Sequence, residues 1–83
     1  MFSTIEAFGH KVAALLDIEP PVHISPYDGL FDDWGLDSLQ AFQLIIIIEG
    51  IAEVAVPPPS VPEIFTVGDA YEYYRSLVNS GES

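Results

Sequence analysis

Ser38 is the residue whose type and position most readily suggest chemistry. Its hydroxyl follows Asp37 in the run Gly35-Leu36-Asp37-Ser38-Leu39, just before a segment with helical character. Because a helix N-terminus carries partial positive charge, a serine in the first turn is well placed to receive a phosphate. Serine and aspartate are also the ordinary residues at helix N-caps, so the position alone favours the simpler role of a capping hydroxyl.

A serine hydrolase would use Ser38 as nucleophile, His10 or His23 as base and an aspartate as orienter. The residues around Ser38 do not form the G-x-S-x-G turn that many hydrolases use. His10 lies in a predicted helix and His23 in a proline-rich segment, so neither has an evident approach to Ser38. A chain of 83 residues also rarely encloses a catalytic pocket. We therefore predict no catalytic residues and a protein that is not an enzyme.

A metal site is not predicted either. Asp28, Asp32, Asp33 and Asp37 lie close in sequence, but the spacing and the glycine of an EF-hand are missing. These residues are expected to form a solvated acidic loop. The chain contains no cysteine, which excludes disulfides, thiolate catalysis and cysteine-type zinc sites.

Composition predicts one soluble domain with acidic character. Hydrophobic residues make up 49% of the chain, which favours a packed core, and we expect a single domain over 1–83 with an ordered core over about 3–79 and a polar tail over 80–83. Thirteen Asp and Glu against two Lys and Arg give a net charge of −11, which excludes nucleic acid as a partner and favours basic proteins. The longest aliphatic run, Leu44 to Ile48, is too short to span a membrane, so a cytoplasmic monomer without membrane contact is expected.

Four helices are predicted, which make a small all-α bundle. The first begins with a capping box of Ser3 and Glu6 and ends before Glu19-Pro20-Pro21. A long loop, pinned by scattered apolar residues, joins it to the second helix; these anchors are Ile24, Tyr27, Leu30, Phe31 and Trp34. The second helix begins at Asp37, with Gln40 completing a capping box, and runs to about Glu53.

The last two predicted helices follow the turn Pro57-Pro58-Pro59. A very short third helix would begin at Ser60, with Glu63 at its N3 position. Thr66 and Asp69 mark the start of the fourth, and a helical stripe follows before a polar tail from Asn79; the stripe is Val67, Ala70, Tyr71, Tyr74, Leu77 and Val78.

The second helix has two apolar faces where a bundle needs one. One stripe faces the expected core and consists of Ala41, Leu44, Ile45, Ile48, Ile51 and Ala52. Leu39, Phe42 and Ile46 form a second stripe on the opposite side, which also holds Ser38, Glu49 and Glu53. This second stripe either packs under the long loop or is an exposed protein-docking surface.

The run Trp34-Gly35-Leu36-Asp37-Ser38-Leu39 closely resembles the attachment motif of acyl and peptidyl carrier proteins. The approach Leu30-Phe31, the end Ile48-Glu49, the proline-rich turn and Phe65-Thr66-Val67-Gly68-Asp69 resemble the same family in order and spacing. The resemblance covers nearly the whole chain. It implies a four-helix bundle with a long loop between helices 1 and 2.

The resemblance also implies that Ser38 is where a phosphopantetheinyl transferase attaches 4′-phosphopantetheine from coenzyme A. The thiol of this arm would carry substrates as thioesters. Because the chain has no cysteine, the reactive sulfur would come entirely from the arm. Asp37 matches the acidic residue that precedes the modified serine in this family. The resemblance implies that this residue helps to hold a magnesium ion during modification. Capping of the helix is the simpler role for Asp37, because it requires no partner enzyme. Asp37 and Leu39 flank the cofactor, and the implied docking residues are Leu39, Phe42, Ile46 and Glu49.

The expected partners are the transferase, an acyl- or aminoacyl-loading ligase, and downstream synthase or transferase enzymes. Gln40 and Gln43 stand where fatty-acid-synthase carriers often have acids. We therefore expect a freestanding acyl carrier of a specialised, polyketide-like or fatty-acyl pathway. Two alternatives stay open: a peptidyl carrier of a nonribosomal peptide pathway, and an acidic helical interaction domain in which Ser38 is never modified.

Overall fold

The computed structural model of the protein describes residues 4–54 and 63–81. This part of the chain is all-α and has no strand; its helices are α1 (Ile5–Leu16), α2 (Ser38–Ile51) and α3 (Val67–Gly81). Each helix packs against the other two. The all-α fold is thereby confirmed. The predicted short helix falls mainly on residues 55–62, outside the described residues, and Glu63, which is described, is not helical.

Both ends of α1 are set by local hydrogen bonds. Thr4, and not Ser3, is the N-cap, because its Oγ1 accepts a hydrogen bond from the Ala7 amide at 3.2 Å. The predicted cap, Ser3 with Glu6, is therefore one position too early, and Ser3 itself lies outside the described residues. The helix ends at Leu16, where Asp17 adopts a left-handed conformation at φ 59°.

The starts of α2 and α3 are also fixed by capping side chains. The predicted start of α2 is correct, but the helix stops at Ile51, two residues before the predicted end at Glu53. The capping pair of α3 is confirmed: Asp69 Oδ2 accepts from the Thr66 amide, and Thr66 Oγ1 accepts from the Asp69 amide, both at 3.1 Å. Polar residues from Asn79 continue α3 to Gly81 and do not form a separate tail there.

The long loop is held to the start of α3 by three backbone hydrogen bonds. They run from the Leu30 amide to the Phe65 carbonyl at 2.8 Å, from Val67 to Asp28 at 2.9 Å and from Gly68 to Pro26 at 2.9 Å. Gly68 is required at this contact, because a Cβ there would lie 2.8 Å from the Pro26 carbonyl oxygen. The loop is therefore an ordered part of the bundle.

The core lies between the three helices and the inner side of the loop. Its most deeply buried side chains are Phe8, Val12, Leu30, Leu44, Ile48 and Val67. The predicted loop anchors Ile24, Leu30 and Trp34 are buried, but Tyr27 is 88% exposed and Phe31 41% exposed. Hydrophobic type alone did not reveal which side of the irregular loop faces the core, because such a segment has no repeating period.

Candidate functional site

The start of α2 is fixed by a complete capping box. Asp37 Oδ1 accepts a hydrogen bond from the Gln40 amide at 2.8 Å, and Gln40 Oε1 accepts one from the Asp37 amide at 3.1 Å. The approach to this cap is also ordered, because Gly35 adopts φ 70° and the Leu36 amide bonds the Leu30 carbonyl at 3.0 Å. Position 38 therefore has a defined place at the first turn of the helix.

Ser38 is the first residue of α2 and is exposed to solvent. Because Asp37 is the N-cap, the interpretation of Ser38 as a capping hydroxyl is wrong. No side chain or backbone group of the described residues forms a hydrogen bond with its Oγ. The hydroxyl is thus free to react at the positive end of the helix dipole.

A groove of about 270 Å³ opens beside Ser38. It runs between α2, the long loop and the segment before α3, and its lining is Leu30, Phe31, Ser38, Ala41, Phe42, Ile45, Glu63, Ile64 and Phe65. Three of these side chains are exposed phenylalanines: Phe31, Phe42 and Phe65. Sequence analysis treated Phe31 as an anchor of the loop and did not identify Glu63 or Phe65 as neighbours of Ser38, since spacing along the chain does not show that these segments meet.

The second apolar stripe of α2 is an exposed surface. Leu39 is 66% exposed, Phe42 55% and Ile46 53%. The alternative that this stripe packs under the long loop is therefore wrong. Exposed apolar residues on one helix face, next to acids, are typical of surfaces that bind other proteins.

Glu49 lies on α2 next to this stripe and is half-buried. The Tyr73 hydroxyl of α3 donates a hydrogen bond to Glu49 Oε2 at 2.7 Å. Burial, this hydrogen bond and the carboxylate charge together raise the pKa of Tyr73 to about 12. Glu49 is thus anchored to α3 and is not the freely solvated carboxylate that its sequence context suggests. The two residues are 24 positions apart, so no local pattern could reveal the pair.

The residues considered for other chemistry do not gather around Ser38. His10 on α1 and His23 in the loop are both exposed, and no hydrogen bond between described residues joins either to the serine. Asp28 and Asp33 each accept a backbone hydrogen bond within the loop, from Ser25 at 2.9 Å and from Gly29 at 2.7 Å. Within 4–54 and 63–81, no group of three or more His, Asp or Glu residues is placed to hold a metal ion.

The segment of the chain that contains Ser38 carries acidic residues and lacks Lys and Arg. No Lys or Arg occurs between Lys11 and Arg75, a stretch that includes the whole loop and α2. Arg75 lies on α3, where its guanidinium sits 5.9 Å from the centre of the Tyr71 ring. Basic surfaces are therefore attracted to the Ser38 side of the molecule. No helix of the described residues has the length and hydrophobicity needed to cross a membrane.

Comparison with known proteins shows which family this site represents. A mitochondrial acyl carrier protein of Schizosaccharomyces pombe is 36% identical over 64 residues, covering 76% of this chain and 57% of the relative. An acyl carrier protein of Treponema pallidum, matched equally in two strains, is 39% identical over 46 residues, covering 55% of this chain and 59% of the relative. The chain thus spans less than two thirds of the length of these relatives. Because one of them is named as mitochondrial, the cytoplasmic location of this chain stays a prediction. No solved structure matches significantly.

A family model gives the clearest evidence for the family to which this chain belongs. The family model described as phosphopantetheine attachment site matches residues 7–74, which include all of α2 and most of α1 and α3. The match implies a covalently attached 4′-phosphopantetheine group, and an exposed serine with a free hydroxyl at a helix start fits such a group. The chain therefore belongs to the acyl-carrier-protein family of phosphopantetheine-binding proteins.

Proposed function

We propose that this protein is an acyl carrier protein whose arm is attached at Ser38. The observation that carries the proposal is the geometry of the α2 start: the Asp37–Gln40 pair caps the helix and leaves the neighbouring Ser38 hydroxyl exposed and unbonded among the described residues. Acyl cargo is proposed over aminoacyl cargo because the relatives are named acyl carrier proteins.

Each residue of the site has a separate task. In the attachment step, Ser38 Oγ bonds to the phosphorus that carries pantetheine, the pyrophosphate bond of coenzyme A breaks, adenosine 3′,5′-bisphosphate leaves, and the serine proton passes to a base of the transferase. Asp37 holds the helix start, whose exposed amides stabilise the phosphate beside it. When bound, the arm supplies the thiol that carries the acyl group as a thioester.

The exposed residues of α2 would select the partner enzymes. Leu39, Phe42 and Ile46 supply the apolar centre of the docking surface, and the negative charge around them attracts a basic rim. The expected partners are the phosphopantetheinyl transferase, a loading ligase and downstream synthase or transferase enzymes. Gln40 is engaged in the capping box and Gln43 is neutral, so neither supplies the negative charge that fatty-acid-synthase carriers often have at these positions. Docking would therefore depend more on the apolar residues Leu39, Phe42 and Ile46. This difference supports partners from a specialised pathway.

The proposal is tested by the mass of the intact protein. The wild type and Ser38→Ala are incubated with coenzyme A, magnesium and a broad-specificity phosphopantetheinyl transferase. We expect the wild type to gain the mass of one phosphopantetheine and the variant to gain none. A folded wild type that stays unmodified, while a control carrier in the same tube is modified, would support the unmodified interaction domain instead.

A further inference from the structure

Three exposed aromatic rings line the groove beside Ser38. Phe31 comes from the long loop, Phe42 from α2 and Phe65 from the segment before α3. The ring–ring contacts in the described part of the chain lie on α1 and α3 and engage none of the three. Because the face of an aromatic ring carries partial negative charge, these open faces are suited to a ligand with positive charge.

Glu63 adds a full negative charge to the same groove. Its side chain lines the groove, is exposed, and makes no hydrogen bond or ion pair with any described residue. Lys and Arg are absent from 12 to 74, so no such side chain of this segment competes for the carboxylate. Aromatic faces and an unpaired carboxylate both attract a cation, and here they occur around one small cavity.

The size of the groove fits the end of a cargo molecule. Its volume of about 270 Å³ equals that of about nine water molecules at roughly 30 Å³ each. Clefts that enclose a whole drug-sized ligand usually measure about 300 to 1,000 Å³. Ser38 itself lines the groove, so a group on a flexible arm attached there has a high effective concentration at the groove and can fold back into it.

We infer that this groove holds a protonated amine of the cargo, so that the preferred cargo is an acyl group with an amine away from the thioester. The phenylalanine rings contact the ammonium group and Glu63 pairs with it. An amine on an alkyl chain resembles that of lysine, with a pKa of about 10.4, and is more fully charged at neutral pH than an α-amine, with a pKa of about 7.7 to 8.0. This inference rests on the proposed function and narrows its class of cargo.

Uncharged and acidic cargo fit the groove less well. A plain alkyl end would take water away from the Glu63 carboxylate without giving it a partner, which costs free energy. An acidic end would be repelled by Glu63 and by the net charge of −11. An ammonium end compensates the carboxylate, while the methylene groups that lead to it contact the aromatic rings.

Two stable coenzyme A thioethers of equal length test this preference. Their sulfur carries a 5-aminopentyl or a hexyl chain, so that an ammonium group in one replaces a methyl group in the other. Each is loaded on the protein by a broad-specificity phosphopantetheinyl transferase with magnesium, and the intact mass verifies the loading. We expect the Tm of the aminopentyl form to lie about 3 to 6 °C above that of the hexyl form, because a bound group stabilises the folded state.

Variants outside α2 assign the preference to the groove. Glu63→Gln removes the charge and Phe65→Leu removes an aromatic face, so each should reduce the Tm difference between the two loaded forms by about half. Two controls should leave the difference unchanged: Glu72→Gln removes an exposed charge on α3, and Tyr27→Leu removes an exposed ring of the loop. In NMR spectra, the methylene protons next to the nitrogen should move upfield in the wild type, because they lie over aromatic faces.

The outcomes separate this inference from the proposed function. Equal Tm values, a higher Tm for the hexyl form, or a difference that persists in both groove variants would each overturn the inference. An equal reduction in Glu63→Gln and Glu72→Gln would also overturn it, because general attraction to an acidic protein would then explain the effect. A wild type that takes up neither thioether nor coenzyme A itself, beside a modified control carrier, would instead overturn the proposed function.

Discussion

At the residue scale, the contact between Glu49 and Tyr73 links α2 to α3. The carboxylate accepts the tyrosine hydroxyl at 2.7 Å, so one of its oxygens is already engaged before a partner arrives. A fixed carboxylate loses less side-chain entropy on binding than a free one. Glu49 can therefore serve both the fold and the docking surface.

Tyr73→Phe should destabilise the protein by about 1 kcal/mol, because it removes one hydrogen bond to a half-buried carboxylate. The pKa of Tyr73 is raised from 10.0 to about 12 in the folded state, so its contribution is complete below pH 10 and is lost as the pH rises towards 12. Urea unfolding from pH 8 to pH 12 measures this effect. The difference between wild type and variant should shrink across that upper range, while Tyr27→Phe at an exposed position should show no difference. A pH-independent gap would contradict the prediction.

Single residues also show where sequence reasoning succeeds. The Asp37–Gln40 and Thr66–Asp69 pairs were predictable, because capping depends on residues three positions apart. The Glu49–Tyr73 bond was not, because it depends on how α2 and α3 pack. The start of α1 shows a further limit: residue type favours serine as a cap and so favoured Ser3, yet Thr4 is the N-cap.

At the element scale, the loop between α1 and α2 acts as a structural unit. Its hydrogen bonds to the start of α3 bring the groove-lining residues Phe31 and Phe65 to the same side of α2. Sequence predicted that a pinned loop exists here, but not which of its apolar residues face outward. That choice follows from the bonds to α3, which involve residues more than 30 positions away.

Gly68→Ala should loosen this junction. The added Cβ would lie 2.8 Å from the Pro26 carbonyl oxygen, so the backbone must move and the Gly68–Pro26 hydrogen bond must lengthen. We expect a loss of about 1 to 3 kcal/mol, seen as a lower Tm in thermal unfolding monitored by circular dichroism. Gly50→Ala is the matched comparison, because the same substitution at an open helix position should have the opposite sign. A neutral Gly68→Ala would show that the junction is dispensable.

Phe42→Asp tests the exposed stripe of α2. Phe42 is 55% exposed, so the substitution should cost less than about 1 kcal/mol of stability while it removes apolar contact area from the docking surface. The transfer of acyl groups to and from the true partner enzymes should fall about tenfold or more. Val22→Asp is the control, since Val22 is 91% exposed on the loop. Unchanged acyl transfer in Phe42→Asp would show that the stripe is not used for docking.

At the scale of the whole molecule, charge is distributed unevenly. The chain carries a net charge of −11, and its two basic residues, Lys11 and Arg75, lie on α1 and α3. The surface around α2 and the loop therefore has no positive charge of its own from Lys or Arg. Composition alone predicted an acidic protein, and the positions of Lys11 and Arg75 in the chain leave the long loop and α2 without Lys or Arg.

This charge predicts a strong salt dependence of modification by a basic enzyme. Raising the ionic strength from about 0.01 M to about 1 M shortens the screening length from roughly 30 Å to 3 Å. We expect kcat/KM for phosphopantetheine transfer to fall about tenfold or more, with kcat nearly constant, because encounter is slowed and the chemical step is not. Circular dichroism at each salt concentration confirms that the fold is retained. A salt-independent kcat/KM would argue against electrostatic steering.

The backbone bridge between Gly29 and Thr66 places two distant points of the chain side by side. All of α2 lies in the segment between them, and the Leu30 amide and the Phe65 carbonyl are only 2.8 Å apart. A segment whose two ends meet can be exchanged between related proteins without moving its attachment points, provided that the side chains it buries in the core, such as Leu44 and Ile48, are matched. Residues 30–65 thus form a closed segment of the chain, and transplanting them into another carrier would move Ser38, the proposed attachment residue, together with α2.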